Sequence, residues 1–220
     1  MRAYVGQTRS ASLLRALEGW GIGECTVRGE LPARRTPFFH DNGAYRDWEA
    51  AGRPVGDAAV AHAAMTFNCT RWLRDMRWMS YRNIVPDFVV VPDIVTGGVE
   101  SLAFSAGWRD FVPAEMPAYL AVQNGMGHGD VAAHLDEMAA ADWPYAGLFV
   151  GGDLDWKLAT GEAWVDFAHE RGLRCHIGRV GTASRVAWAR AIGADSIDSC
   201  LPLIHRSHLS AFVAALAVAP

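Results

Sequence analysis

The sequence has almost no lysine, no closely spaced cysteines and no long apolar run. Of its 20 basic residues one, Lys157, is a lysine and 19 are arginines. No apolar stretch approaches the roughly 20 residues that span a bilayer, and the N-terminus has no secretory signal pattern, so we expect no membrane association. The cysteines are too far apart for a zinc knuckle, and their spread fits a reduced, cytoplasmic protein. They are Cys25, Cys69, Cys175 and Cys200.

The composition is that of a globular protein with one sizeable core. The chain has 220 residues, of which 51% are hydrophobic and 20% charged. We therefore predict a single domain over residues 1–220. The net charge of -4 excludes a polycation, so any contact with nucleic acid must come from a local basic patch.

Short apolar runs alternate with helix-like segments along the chain. Because such alternation produces parallel sheets through right-handed crossovers, eight strands predict an α/β fold, a compact (β/α)8 barrel of TIM type. A doubly wound open sheet is the alternative, since the second connection lacks a helical pattern. The predicted strands are Ala3–Gly6, Cys25–Val27, Phe38–Asp41, Phe88–Pro92, Tyr119–Gln123, Ala146–Gly151, Arg174–Ile177 and Ala194–Ile197. The predicted helices are Ser10–Glu18, Asp57–Met79, Val131–Ala140, Gly161–Arg171, Ser184–Ile192 and His208–Ala217.

Polar residues follow six of the predicted strands. In a barrel the carboxyl ends of all strands open at one mouth, where active sites lie. A single Asp after a strand is often only a helix N-cap. The prediction therefore depends on the polar residues at six strand ends taken together. The candidates at these strand ends are Asp41, Tyr45, Asp93, Gln123, Asn124, Gly151, Gly152, Asp153, Lys157, His176, Arg179, Asp195 and Asp198.

Several of these segments resemble motifs of one enzyme family. Residues 41–45, DNGAY, resemble the D-S-G-G-[FY] motif of tRNA-guanine transglycosylases (queuine tRNA-ribosyltransferases), and residues 123–125, QNG, resemble their V-Q-G-G segment. Residues 151–152 match a Gly-Gly strand end. Residues 176–202 are similar to the M-G-V-G and G-x-D-x-F-D-C-x-x-P block. The short chain resembles most the relatives that place 7-deazaguanines in DNA.

The resemblance implies roles for these residues in cleaving an N-glycosidic bond. Asp198 aligns with the family nucleophile and Asp41 with the general acid/base, the two groups that double displacement requires. Asp93 would read the donor edge of the base and Tyr45 would stack on it. The remaining strand-end candidates would line the substrate pocket, and Asp195 belongs to this set.

Departures from the family motifs concern the substrate more than the reaction. Gly178 and Arg179 replace the family Met and Gly, and Asn124 replaces a Gly. The zinc-binding cysteine cluster is absent, and no histidine has ligand spacing, so we predict no metal, no zinc subdomain and no cofactor. These changes favour a glycosylase that excises a modified base from DNA. By analogy with the DNA-acting relatives, it would act in defence against phage.

Arginines interleave with aromatics in residues 70–82. On a helix Arg71, Arg74 and Arg77 share one side, and with Arg206 they form the predicted nucleic-acid surface, a solvated arginine stripe being the alternative. The expected partner is DNA with its target base flipped out of the stack. Three other functions stay open: a transglycosylase that exchanges guanine for a 7-deazaguanine in DNA or tRNA, a small-molecule nucleoside or nucleotide N-glycosidase, and a non-catalytic binding barrel.

Overall fold

Eight parallel strands close into a barrel in the order in which they occur along the chain. This computed structural model describes residues 1–32, 37–204 and 206–217, and the side chain of Arg206 lies outside the described part. The barrel confirms the predicted (β/α)8 fold and excludes the open sheet. The strands are β1 (Arg2–Gly6), β2 (Gly23–Val27), β3 (Phe38–Asp41), β4 (Phe88–Val90), β5 (Ala118–Val122), β6 (Gly147–Val150), β7 (Arg174–Ile177) and β8 (Ser196–Ser199).

Helices cover the outside of the barrel and pack on the outward-facing apolar side chains of the strands. A short 3-10 turn spans Arg109–Phe111. The α-helices are α1 (Ala11–Gly19), α2 (Ala44–Ala50), α3 (Asp57–Thr66), α4 (Cys69–Tyr81), α5 (Glu100–Ala106), α6 (His128–Ala140), α7 (Leu154–Glu170), α8 (Ala183–Ala191), α9 (Leu201–Ile204) and α10 (Arg206–Ala217). Within the described ranges, no helix is long and apolar enough to cross a membrane.

Several element boundaries differ from the sequence prediction, helices α2 and α5 have no predicted counterpart, and three of the differences bear on the site. The predicted helix Asp57–Met79 is two helices, because Asn68 begins α4 as its N-cap and accepts a hydrogen bond from the Arg71 N–H at 3.0 Å. Helix α7 begins at Leu154, well before the predicted Gly161. Strand β8 begins two residues later than predicted, which places Asp198 inside the strand.

Stacked aromatic rings fill the barrel interior. Phe88 lies between Phe39 and Tyr119, with ring centroids 4.6 and 4.0 Å away. Phe149 stacks on His176 at 4.8 Å. Rings of this size leave no room for further side chains at the same level, so glycines on the neighbouring strands are required.

Gly147 is such a position. A β-carbon there would lie 2.5 Å from Tyr119 Cζ and 2.7 Å from the Arg174 carbonyl oxygen, and the backbone oxygen cannot move aside. We expect Gly147→Ala to lower the free energy of unfolding by about 3 kcal/mol, measured by urea denaturation. The matched control is Gly129→Ala in α6, where a β-carbon meets nothing within 4 Å and should stabilise the helix slightly. An unchanged urea midpoint for Gly147→Ala would contradict this account of the interior.

Candidate active site

Asp198 occupies the barrel mouth and is held by two N–H donors. Its Oδ1 accepts a hydrogen bond from His176 Nε2 at 3.0 Å and another from the Arg179 backbone N–H at 3.1 Å. The other ring nitrogen of His176 lies 2.8 Å from Ser196 Oγ. Burial lowers the pKa of His176, although the neighbouring Asp198 opposes this shift. We therefore assign a neutral imidazole that donates to Asp198 and accepts from the Ser196 hydroxyl.

Asp41 ends β3 and faces the same mouth. Its Oδ1 accepts a hydrogen bond from the Gly43 N–H at 2.6 Å, in a turn that Gly43 makes with a φ of 77°. Burial raises the pKa of Asp41 to about 7, the negative charges of Asp198 and Asp93 adding to it and the Gly43 N–H opposing it. A large fraction of Asp41 thus keeps its proton at neutral pH, as a general acid must.

Asp93 follows β4 and is oriented by two amide side chains. Asn42 Nδ2 donates to Asp93 Oδ1 at 2.8 Å, and Gln123 Nε2 lies 3.4 Å from Asp93 Oδ2. Gln123 also donates to the Ile94 carbonyl at 2.5 Å and accepts from the Thr96 N–H at 2.7 Å. Burial raises the pKa of Asp93 to about 6. The Gln123 amide, which the sequence predicts to line the substrate pocket, thus has protein partners at both its nitrogen and its oxygen.

Asn124 and Asp153 join the loops that follow β5 and β6. Asn124 Nδ2 donates to Asp153 Oδ2 at 2.7 Å, and the Asp153 N–H donates back to Asn124 Oδ1 at 2.9 Å. Asp153 also caps α7 by accepting the Trp156 N–H at 2.9 Å. Gly152 has a φ of 66° beside the Trp156 ring, where a β-carbon would clash, whereas Gly151 has space for one. Asn124 and Asp153 together shape the rim of the mouth.

Arg179 connects the two sides of the mouth. Its guanidinium carbon lies 4.3 Å from the centre of the Tyr45 ring, and its side chain also donates to the Gly152 carbonyl. Behind it, the buried Lys157 donates from Nζ to the Gly178 carbonyl at 2.5 Å. Burial, followed by the charge of Arg179, lowers the pKa of Lys157 to about 7. Lys157 therefore supplies a titratable cation beneath the mouth.

Asp195 lies at the opposite end of the barrel from this cluster. It precedes β8, and its Oδ2 accepts the Cys175 N–H at 2.8 Å and lies 3.0 Å from His169 Nε2. These partners belong to the start of β7 and the end of α7. The prediction that Asp195 lines the pocket at the mouth is therefore wrong, because β8 runs over Ser196–Ser199 and leaves Asp195 before its first residue.

The predicted nucleic-acid surface is only partly near the mouth. Arg71 lies in the first turn of α4, on the mouth side, whereas Arg74 and Arg77 lie further along the helix, away from it. Arg74 Nη2 lies 3.4 Å from Asp75 Oδ1. Arg206 is also predicted to bind nucleic acid, and its side chain lies outside the described part of the chain.

Sequence reasoning missed two residues of this region. Ser196 is two positions before Asp198 on β8, and strand alternation places both side chains toward the same interior. Arg28 directly follows β2, one of the two strands without a predicted polar candidate at its end. The strand-end rule, applied to every strand, finds Arg28.

Within residues 1–32, 37–204 and 206–217, no group of three or more histidine, cysteine or carboxylate side chains could hold a metal ion.

In comparisons with known proteins, the chain matches no protein-family model and no curated protein.

Proposed function

We propose that the protein cleaves an N-glycosidic bond, with Asp198 as nucleophile and Asp41 as general acid/base. The observation that carries this proposal is the contrast between two carboxylates at one mouth. Asp198 receives two N–H donors, as suits an acceptor carboxylate, whereas burial raises the pKa of Asp41 to about 7. In glycoside chemistry, two carboxylates in contrasting environments usually act as the acid and the nucleophile. The resemblance to tRNA-guanine transglycosylases assigns the same roles.

The reaction has two displacements. In the first, an Asp198 carboxylate oxygen bonds to C1′ while the bond from C1′ to the base nitrogen breaks, and Asp41 gives its proton to the departing base. In the second, Asp41 takes a proton from water, the water oxygen bonds to C1′ and Asp198 leaves. The products are a free base and an abasic sugar. If an incoming base replaces the water, the product is an exchanged nucleotide.

The substrate that we favour is a modified base in DNA, flipped out of the stack. Asp198 is 8% exposed, so C1′ can reach it only after the nucleotide leaves the duplex. Asp93 offers an acceptor to N–H donors on the base edge. The Arg179 guanidinium covers one face of the Tyr45 ring, and a base that stacks on that face must displace it.

One observation favours a different substrate class. The net charge of -4 is unfavourable for nucleic acid and suits a small nucleoside or nucleotide. Retention on a DNA column separates the two classes. A nucleic-acid enzyme is retained at low salt and elutes steeply as salt rises, whereas a nucleosidase is not retained.

A panel of DNAs tests the proposed function. The panel contains unmodified DNA and DNA with modified cytosines or 7-deazaguanines, and the readouts are abasic sites by alkaline cleavage and released bases by mass spectrometry. We expect abasic sites on one modified DNA with the wild type and none with Asp198→Asn. Uptake of a labelled free base without abasic sites would indicate base exchange instead. The absence of both abasic sites and base uptake with every DNA in the panel would contradict action on DNA.

His176 is expected to act as a positioning residue for Asp198. Replacing it with Ala removes the Nε2 donor to the carboxylate, so we expect turnover to fall about tenfold to hundredfold while the dissociation constant for substrate changes little. Single-turnover rates and equilibrium binding measure the two effects separately. His176→Gln, which can retain an N–H donor, should recover part of the rate. A loss of binding equal to the loss of rate would contradict the positioning role.

A further inference from the structure

We propose that a basic pocket beside the barrel mouth binds a backbone phosphodiester of the substrate strand. The inference rests on the proposed function in taking the substrate to be nucleic acid. The pocket has a volume of about 390 Å³ and lies between the loop after β2, helix α2 and the first turn of α4. Three arginines line it, namely Arg28, Arg46 and Arg71, together with the carboxylates of Glu30 and Asp47.

Arg28 is a buried cation with incomplete compensation. It is 4% exposed, its Nη2 donates to Asp47 Oδ2 at 2.6 Å, and its guanidinium lies 4.8 Å from the centre of the Phe67 ring. Its Nε and Nη1 have no hydrogen-bond acceptor among the described residues. A buried guanidinium that lacks acceptors is costly, and an anion in the adjoining pocket would compensate its charge.

Arg46 and Arg71 supply exposed guanidinium groups at the same pocket. Arg46 Nη2 donates to the Arg28 carbonyl at 2.8 Å, and its Nη1 is 3.5 Å from Glu30 Oε1. Arg71 is exposed and has no ion pair among the described residues. Its Cδ lies close beside Gly29. Arg71 can therefore turn toward an anion without breaking an ion pair, and Arg46 can offer Nη1 while Nη2 keeps its hydrogen bond to the Arg28 carbonyl.

The charge balance of the pocket suits a diester. Three arginines face two carboxylates, which leaves one net positive charge. The start of α4, a helix of 13 residues, adds the partial positive charge of a helix N-terminus. A phosphodiester carries one negative charge and a phosphate monoester nearly two at neutral pH. Arginine also binds phosphate oxygens with two N–H groups at once.

The pocket adjoins the proposed general acid. The Arg28 N–H donates to the Asp41 carbonyl at 2.9 Å, and the charge of Arg46 is close enough to oppose the rise in the pKa of Asp41. A phosphate bound there would flank the nucleotide whose base enters the mouth. The pocket would then set the position of the strand along the barrel rim, as phosphate contacts do generally.

Binding of fluorescently labelled single-stranded DNA to the full chain, measured by anisotropy over a range of salt, tests the proposal. We expect Arg71→Ala to weaken binding about tenfold and to reduce the slope of log K against log salt by about 0.7, the loss of one phosphate contact. Arg71→Lys should recover part of the affinity. The matched control is Arg82→Ala, an exposed arginine at the other end of α4 and about 16 Å further along it, which should change affinity less than about twofold.

Two competitors identify the anion. An unlabelled strand with a neutral methylphosphonate backbone should compete poorly against the native strand, and inorganic phosphate or a nucleoside monophosphate should compete only weakly. Equal effects of Arg71→Ala and Arg82→Ala, or strong competition by a monophosphate, would overturn the phosphodiester assignment. Because binding needs no turnover, these results are independent of the proposed chemistry, which Asp198→Asn tests separately.

Discussion

Replacing Asp198 with Asn is expected to reduce base release by at least about 1000-fold while leaving substrate binding within a few-fold of the wild type. The amide is a poor nucleophile toward C1′. Its Oδ1 can still accept the N–H groups of His176 and Arg179, so the mouth keeps its geometry. Single-turnover base release and anisotropy of a bound oligonucleotide measure the two quantities on the same preparation.

Asp195→Asn is the control for this substitution. It makes the same chemical change three residues away on the chain, at the opposite end of the barrel. We expect its base release to match the wild type. Circular dichroism establishes that both variants are folded. Wild-type turnover in a folded Asp198→Asn protein would remove Asp198 from the mechanism.

The second large effect is expected at Asp41. Because burial raises its pKa to about 7, the acid form is lost as the pH rises through that value, and wild-type turnover should fall about tenfold for each pH unit above it. Asp41→Asn should lower turnover by about 100-fold or more and abolish this alkaline limb. The asparagine Oδ1 can still accept the Gly43 N–H, so the turn persists. An alkaline limb that survives in Asp41→Asn would assign it to another group.

The same pKa shift predicts a change in stability with pH. The folded protein holds the Asp41 proton more tightly than the unfolded chain, whose carboxyl has a pKa near 3.8. The stability that this proton contributes is fully present below about pH 3.8 and is lost as the pH rises toward 7. Asp41→Asn should therefore raise the melting temperature relative to the wild type more at pH 8 than at pH 4. An equal difference in melting temperature at both pH values would show that folding does not shift the pKa of Asp41.

The barrel could be predicted because each strand is a short apolar run between helix-like segments. The same rule located Asp41 and Asp93, since polar residues after parallel strands meet at one mouth. It failed for Asp195 because an apolar run does not fix where a strand begins. Pairing with its neighbours does, and Ser196 is the first β8 residue in register with both β1 and β7.

The burial of Arg28 and the hydrogen bonds to Asp198 depend on tertiary contacts, which the sequence alone does not predict. The burial of Arg28 depends on Phe67 and Asp47, which come from segments 19 or more residues away. The two hydrogen bonds to Asp198 join β7, its following loop and β8, so no spacing along the chain reveals them. Residue type and order predicted most of the groups at the mouth, whereas burial in the folded chain raises the pKa of Asp41 and of Asp93.

The most direct test of the mechanism is the covalent intermediate. The intact protein is quenched in acid within one turnover on the DNA that it cleaves, and its mass is measured before and after digestion to peptides. We predict an adduct with the mass of the strand without its target base, located on the peptide that contains Asp198 and absent from Asp198→Asn. An adduct on a different residue would contradict the assignment of Asp198 as the nucleophile.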